Sequence, residues 1–168
     1  MHQSKISIRV LKEFDKDCVL TIFAEGIATG IATFETECPD WAGFNQRFLP
    51  APRLVAERAG QVVGWAVLSA ISARACYRGA AELSVYVASA AQGQGVGQQL
   101  LSALVTASEA AGFWTLQGTI NRRNTASIAL HARCGFREVG YRERIAQRDG
   151  VWQDTVLMER RSTLIGRD

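Results

Sequence analysis

Apolar residues recur along the chain with two different periods, and these periods predict strands and helices. Runs rich in β-branched and aromatic residues predict strands, and apolar residues spaced three or four apart predict helices. The predicted strands cover residues 6–10, 53–58, 62–70, 82–87, 114–120, 136–147 and 151–160. The predicted helices begin at Asp15 or Asp17, at Asp40, at Gly95, and at Asn124 or Thr125.

Glycine-containing turns join some of these elements directly. Ala59-Gly60 and Asp149-Gly150 each separate two strands, as is typical of β-hairpins. Gly112 and Gly135 end the last two helices. Because hairpins and helical crossovers alternate along the chain, we predict an α/β fold in which a mixed sheet carries helices on both faces.

Length and charge narrow the class of protein. With 168 residues, we expect a single domain over residues 1–162 and a C-terminal tail at 163–168. The net charge is only +3 and the arginines are scattered, so we expect no nucleic-acid partner. No stretch is apolar enough for a signal peptide or a membrane span, so we expect no membrane partner and a cytoplasmic location.

The four cysteines, Cys18, Cys38, Cys76 and Cys134, are not spaced like metal ligands or a redox motif. We therefore expect no metal site. Three of them fall within apolar or helical patterns, and we expect Cys18, Cys38 and Cys134 to be buried structural thiols.

A glycine-rich stretch joins one predicted strand to the longest predicted helix. Gly93, Gly95 and Gly97 occupy every second position, and glycine permits positive φ and close approach of a ligand. Loop amides and the following helix N-terminus can then bind a phosphate, although an ordinary strand-to-helix turn is the alternative. Because no lysine follows Lys16 and the Gly-x-Gly-x-x-Gly pattern is incomplete, neither a Walker loop nor a dinucleotide fingerprint fits.

Two stretches resemble the signatures of the GNAT superfamily of N-acetyltransferases. Gln92-Gly93-Gln94-Gly95-Val96-Gly97 resembles the acetyl-CoA pyrophosphate loop, Gln/Arg-x-x-Gly-x-Gly/Ala. Residues 121–136 are similar to the second signature, Asn-x-x-Asn-x-x-Ser followed by Leu-(Tyr/His)-x-x-x-Gly-Phe. Further stretches resemble the phosphinothricin and methionine sulfoximine acetyltransferase branch of this superfamily. They are residues 33–35, residues 72–77 followed by 82–87, and residues 150–158.

The resemblance implies the GNAT fold, a mixed and mostly antiparallel sheet with helices on both faces and a splay between its central strands. It implies acetyl-CoA as co-substrate and direct transfer, in a ternary complex, to the α-amine of a small amino acid or analogue. Phosphinothricin, methionine sulfone and methionine sulfoximine are the implied analogues. A protein N-terminus or a polyamine is an alternative acceptor, and a non-catalytic acyl-CoA-binding module is an alternative function. The branch also implies a homodimer.

The resemblance assigns the coenzyme to the glycine loop and its flanking elements. Backbone groups of the central strand would pair with the pantetheine, and the loop amides would bind the pyrophosphate. Asn124 would bond the pantetheine arm, although a plain helix N-cap is the alternative, and Ser127 is as well explained by a capping hydroxyl. The implied coenzyme residues are Val85, Tyr86, Val87, Gln92, Gly93, Gln94, Gly95, Val96, Gly97, Gln98, Asn124 and Ser127.

Glu82 and His131 are the implied catalytic residues. Glu82 begins the central strand and would accept the proton of the amine, directly or through water, unless it is a salt-bridged surface residue. A backbone N–H at or near Val87 would polarise the thioester. His131 replaces a tyrosine found in many relatives and would protonate the leaving thiolate, although a packed histidine with solvent as acid is the alternative. Strand alternation directs the Tyr86 side chain toward the core.

The acceptor amine would be bound by Phe34, Glu35, Arg74 and Tyr77. Arginine binds carboxylate, phosphinate or sulfone oxygens in a bidentate manner, and Arg74 fits the family pattern better than Arg78. For each of these residues a solvated loop position is the alternative.

Overall fold

The computed structural model of the protein describes residues 5–167, so residues 1–4 and 168 of the predicted domain and tail lie outside it. Its seven strands form one sheet in the order β1-β2-β3-β4-β5-β7-β6. The strands are β1 (Ile6–Val10), β2 (Arg53–Arg58), β3 (Gln61–Ala70), β4 (Ala80–Val87), β5 (Thr115–Asn121), β6 (Arg137–Arg148) and β7 (Val151–Arg161). All neighbouring strands are antiparallel except β4 and β5, which confirms the mixed, mostly antiparallel sheet.

Four helices cover the two faces of this sheet. They are α1 (Lys16–Ala28), α2 (Trp41–Arg47), α3 (Val96–Ala110) and α4 (Thr125–Arg133). On one face, α3 and α4 pack on a core that includes Leu100 and Leu104. On the other, α1 and α2 enclose Trp65 with Phe23 and Phe44. The prediction of helices on both faces is therefore confirmed. Within residues 5–167 no helix is long and apolar enough to cross a membrane.

Two of the predicted helix caps are present and one is not. The Asp40 carboxylate accepts the Gly43 amide at 2.7 Å and caps α2, and the Asn124 side chain accepts the Ser127 amide at 3.2 Å at the start of α4. Asp15 occupies the predicted N-cap position of α1, but its side chain makes no capping hydrogen bond to that helix. The Asp15 carboxylate instead accepts two bonds from the Arg9 guanidinium, each 2.8 Å long.

The prediction of buried cysteines is wrong for Cys18 and Cys38, which are exposed, as is Cys76, while Cys134 is half-buried. Cys18 precedes by one position the buried stripe of α1 that begins at Val19. One step around a helix is about 100°, which turns the thiol toward solvent.

The two central strands separate halfway along their length. β4 pairs with β5 only over Ala80–Glu82, opposite Thr115–Gln117, although both strands continue further. The diverging ends leave a cleft between them, which confirms the predicted splay.

Candidate active site

The edge of β4 that faces the cleft carries backbone groups without strand partners. The Ala88 amide donates to the Val63 carbonyl on the β3 side, at 2.9 Å. Backbone groups alternate in direction along a strand, so those of Val85 and Val87 face the side from which β5 has diverged. An extended ligand with amide groups can pair there as an added strand.

The glycine loop ends at the same cleft. Gly93 and Gly95 have φ of 71° and 81°, and a Cβ at either position would meet no atom within 4 Å. These two glycines are therefore required by backbone conformation and not by crowding. The first hydrogen bond of α3 runs from the Gln99 amide to the Gly95 carbonyl, at 3.1 Å. The backbone amides that precede Gln99 at the start of the helix therefore remain free to bind an anion.

Gly97 has a different reason to be glycine. It lies within α3, and a Cβ there would sit 3.1 Å from Cδ2 of Leu130 in α4. The third glycine therefore permits close approach of the two helices that form the walls of the cleft.

A cavity of about 490 Å³ lies between the glycine loop and α4. All of the predicted coenzyme residues line it except Tyr86 and Gln94. Asn124 uses its side-chain oxygen for the helix cap, and its side-chain nitrogen, Nδ2, makes no hydrogen bond within residues 5–167. The N-cap and ligand-binding interpretations of Asn124 are therefore compatible.

A second cavity, of about 210 Å³, opens where β4 and β5 separate. We call it the acceptor cavity. It shares Ala32, Val85, Asn124 and Ser127 with the larger cavity, so the two cavities adjoin. One wall is the segment between α1 and α2, residues 29–40, which we call the acceptor loop. The opposite wall consists of the end of β5, residues 119–121.

The Glu82 carboxylate lines the acceptor cavity at the last residue pair of the β4–β5 ladder. The Gln117 side-chain amide donates to its Oε2 at 2.9 Å. The side chain is half-buried, and within residues 5–167 it makes no salt bridge. Glu82 is therefore not the ion-paired surface residue of the alternative interpretation.

His131 is buried and also lines the acceptor cavity. Its Nδ1 lies 2.7 Å from the Ser127 carbonyl, so this nitrogen must carry the proton. Nε2 is left with a lone pair and no hydrogen-bond partner in the described part of the chain. Burial lowers the pKa of His131, against a smaller raising effect of the Ser127 carbonyl. The ring is consequently neutral near pH 7, and its Nε2 is buried beside Gly118 of β5, where an added Cβ would lie 2.9 Å from it.

Comparison with known proteins identifies the family. The sequence pattern of the Acetyltransferase (GNAT) family matches residues 24–136. The chain belongs to the GNAT family. It is therefore an acyltransferase of the N-acetyltransferase type, as the two signatures predicted.

Relatives of this acetyltransferase agree with the predicted branch. A phosphinothricin N-acetyltransferase of Alcaligenes faecalis is 38% identical over 160 residues, which cover 92% of this chain and 81% of that protein. An L-methionine sulfoximine/L-methionine sulfone acetyltransferase of Pseudomonas paraeruginosa is 33% identical, with coverage of 91% and 92%.

Solved structures share the fold. A GNAT superfamily phosphinothricin acetyltransferase from Sinorhizobium meliloti, in complex with AcCoA, has a TM-score of 0.83 and 32% identity, with coverage of 93% and 88%. A ribosomal-protein-alanine N-acetyltransferase from Brucella melitensis has a TM-score of 0.85 and 35% identity, with coverage of 93% and 99%.

Two predicted coenzyme residues of the acetyltransferase point away from the larger cavity. The Tyr86 ring stacks on Trp65 with 4.6 Å between centroids, and burial raises its pKa to about 12. The Gln94 amide accepts from Arg58 and donates to the Ala90 carbonyl at 3.0 Å. Their contacts with coenzyme stay predictions.

The predicted acceptor residues are dispersed. Phe34 lines the acceptor cavity, whereas Glu35 forms a salt bridge with Arg47 at 2.7 Å. Arg74 and Tyr77 are exposed on the segment between β3 and β4, where the guanidinium lies 5.6 Å from the phenol ring. Neither of these two lines the acceptor cavity, and their roles stay predictions.

Sequence reasoning missed several lining residues. Three residues of α4 line the larger cavity: Ala126, Leu130 and Arg133. Because they are separated by four and then three positions, a helix would place them on one face. Thr119 and Asn121 line the acceptor cavity from β5. Polar residues at alternate positions near the end of a central strand were the available signal.

Proposed function

We propose that this acetyltransferase uses acetyl-CoA to acetylate the α-amine of a small amino acid or analogue by direct transfer. The observation that carries the proposal is the position of the Glu82 carboxylate. It lies in a small cavity that adjoins the cleft suited to the coenzyme. Phosphinothricin, methionine sulfone and methionine sulfoximine are the first acceptors to test, because the relatives in sequence carry these names.

The residues present fit the coenzyme. The free edge of β4 at Val85 and Val87 suits the pantetheine amides, and the amides of residues 93–98 suit the pyrophosphate. The free amide of Asn124 faces the same cavity from α4. Acetyl-CoA supplies an acyl group as a thioester, so that transfer to an amine forms an amide and releases the thiol.

Each catalytic requirement has a candidate group in the protein. Glu82 accepts the proton that the amine must lose, directly or through one water molecule. The Val87 amide, on the free edge of β4, donates a hydrogen bond to the acyl oxygen. Because neutral His131 directs its only N–H at Ser127 and its Nε2 is buried, we assign protonation of the leaving thiolate to solvent.

Acceptor size and charge favour a small zwitterion over a polyamine. A cavity of about 210 Å³ is small, and Glu82 is the only carboxylate among its described lining residues. Arg74, on the exposed segment before β4, is the proposed partner of the acceptor's acidic group. A protein N-terminus remains the second candidate, since the name of the Brucella melitensis structure indicates that acceptor for a relative.

We propose a homodimer and a cytoplasmic location as parts of this function. The edge strand β6 and its partner β7 expose several apolar side chains, and a second copy that docks at this edge would cover some of them. The exposed side chains are Val139, Tyr141, Ile145, Val151 and Trp152. Sedimentation velocity tests the dimer, and a monomeric mass at micromolar concentration would contradict it. Cell fractionation tests the location.

Thiol release from acetyl-CoA tests the reaction. Wild-type protein should turn over with at least one of the three analogues, and it should prefer them to spermidine and to a peptide beginning with alanine. Glu82→Gln should lower kcat by about 10²- to 10⁴-fold, the usual contribution of a general base, and should leave coenzyme affinity unchanged. Glu13→Gln, on the exposed surface near α1, is the matched control. Full activity of Glu82→Gln would remove Glu82 from the mechanism.

A further inference from the structure

We propose that Arg148, at the end of β6, is a positioning residue that fixes the acceptor loop and thereby sets affinity for the acceptor amine. Arg148 lies more than 100 residues away from that loop in sequence. The inference rests on the proposed function, since it assigns acceptor binding to the cavity that this loop walls.

Arg148 binds two backbone carbonyls at once. Its Nη1 donates to the Thr33 carbonyl and its Nη2 to the Ile27 carbonyl, both at 2.7 Å. The side chain is only 12% exposed, so both bonds are shielded from water. Ile27 belongs to the last turn of α1, where a cation also complements the helix dipole. The guanidinium thus links the end of α1 to the middle of the acceptor loop.

The other hydrogen bonds of the acceptor loop lie within it or join it to α1 and α2. Cys38 donates to the Leu20 carbonyl in α1 at 3.4 Å, and Arg47 in α2 donates to Glu35 at 2.7 Å. The Thr29 hydroxyl accepts the amides of Ile31 and Ala32 at 3.3 and 3.2 Å. The Thr33 hydroxyl accepts the Glu35 amide at 3.1 Å. These contacts shape the loop locally, but they do not join it to the hairpin of β6 and β7. Arg148 supplies that connection.

We call the link between Arg148 and the two carbonyls the tether. It acts at the residues that wall the acceptor cavity. Residues 31–34 all line that cavity, and Thr33 is the residue whose carbonyl Arg148 binds. The larger cavity meets the same loop only at Ala32. Releasing the loop should therefore weaken acceptor binding selectively, because the glycine loop, β4 and α4 keep their positions.

Lysine cannot replace this arginine, because an ammonium group lacks the planar fork that reaches two carbonyls in fixed directions. Arg148→Met keeps the length of the side chain and removes both bonds. Arg148→Lys keeps the charge and one bond. Arg137→Met is the matched control, since Arg137 lies on the same strand but is 67% exposed and pairs with Glu159 on the surface.

Steady-state kinetics and hydrogen exchange together test the proposal. Arg148→Met should raise KM for the acceptor amine tenfold or more, keep KM for acetyl-CoA within twofold, and speed amide exchange in residues 31–35. Arg148→Lys should give a smaller change of the same kind, and it serves alone if Arg148→Met does not fold. Arg137→Met should match wild type in all three measurements.

Two results would overturn the tether: unchanged exchange in residues 31–35, or an acceptor KM that is unchanged or rises only as much as KM for acetyl-CoA. If wild-type protein acetylates no small amino acid, the proposed function fails separately. Hydrogen exchange then decides by itself whether Arg148 fixes the loop, with faster exchange supporting the assignment and unchanged exchange refuting it.

Discussion

Replacement of Gly95 by alanine tests whether the glycine loop binds the coenzyme through its backbone conformation. Gly95 has a φ of 81° at the N-terminal cap of α3, and its absent side chain faces open space. An L-residue in this left-handed region costs about 1–2 kcal/mol. In the free protein the loop of Gly95→Ala should relax toward negative φ, which moves the amides at the start of the helix.

Coenzyme binding must then restore the original loop conformation. A cost of about 1–2 kcal/mol corresponds to a Kd about 5- to 30-fold weaker, since 1.4 kcal/mol is a factor of ten. Isothermal titration calorimetry with CoA measures this loss without needing an acceptor amine. The result therefore tests the coenzyme site separately from the choice of substrate.

Gly112→Ala is the matched control for the strain itself. Gly112 follows the other end of α3, has a φ of 90°, and also faces open space. The Gly112→Ala variant should lose about as much stability in thermal unfolding as Gly95→Ala, and it should keep the wild-type Kd for CoA. Wild-type affinity in Gly95→Ala, or an equal loss of affinity in Gly112→Ala, would refute the argument from loop conformation.

Two further predictions concern titrating groups. The ring of His131 should titrate below the ordinary histidine pKa when it is followed by NMR. The free energy of unfolding should decrease as pH drops from 6.5 toward that lowered pKa, because the unfolded chain binds the proton first. A titration midpoint at the ordinary histidine pKa would contradict the neutral ring. The hydrogen bonds of Arg9 lower the pKa of the Asp15 carboxyl, so its stabilisation should be complete above about pH 5 and lost as pH falls through the lowered pKa. Asp15→Asn should lower the free energy of unfolding by about 1–3 kcal/mol at pH 7, measured by urea unfolding, and should make it less dependent on pH in the acid range. The same loss of stability at acid pH in the variant and the wild type would contradict this prediction.

The coenzyme half of the cleft was predictable because short sequence separations determine it. Strand alternation correctly directed Tyr86 into the core. Positive φ at Gly93 and Gly95 follows from local turn chemistry. Gly97 was expected to be glycine for its backbone conformation and for ligand approach, whereas a Cβ there would meet Leu130 of another helix, which the loop sequence alone does not show.

The acceptor half was less predictable because long-range contacts determine it. The motif that contains Phe34 and Glu35 was recognised, but nothing local shows that Glu35 turns away to pair with Arg47. The contact between Arg148 and Thr33 joins residues that no periodicity connects. The exposed Cys18 shows that burial within a helix is also hard to predict from sequence. A shift of one position along a helix can move a residue from the buried face to the solvent face.

This division also explains why members of one family can share a coenzyme motif and carry different acceptor names. In the proposed function, backbone groups of Val85, Val87 and the glycine loop form the coenzyme surface, so substitutions of side chains there should change little if the glycines remain. The acceptor cavity is lined by side chains from the acceptor loop and β5, together with Glu82. Loops tolerate substitution better than strands do. A change of acceptor therefore requires new side chains in residues 31–34 and 119–121. The tether at Arg148 can persist through such changes, because it holds Ile27 and Thr33 by their backbone carbonyls.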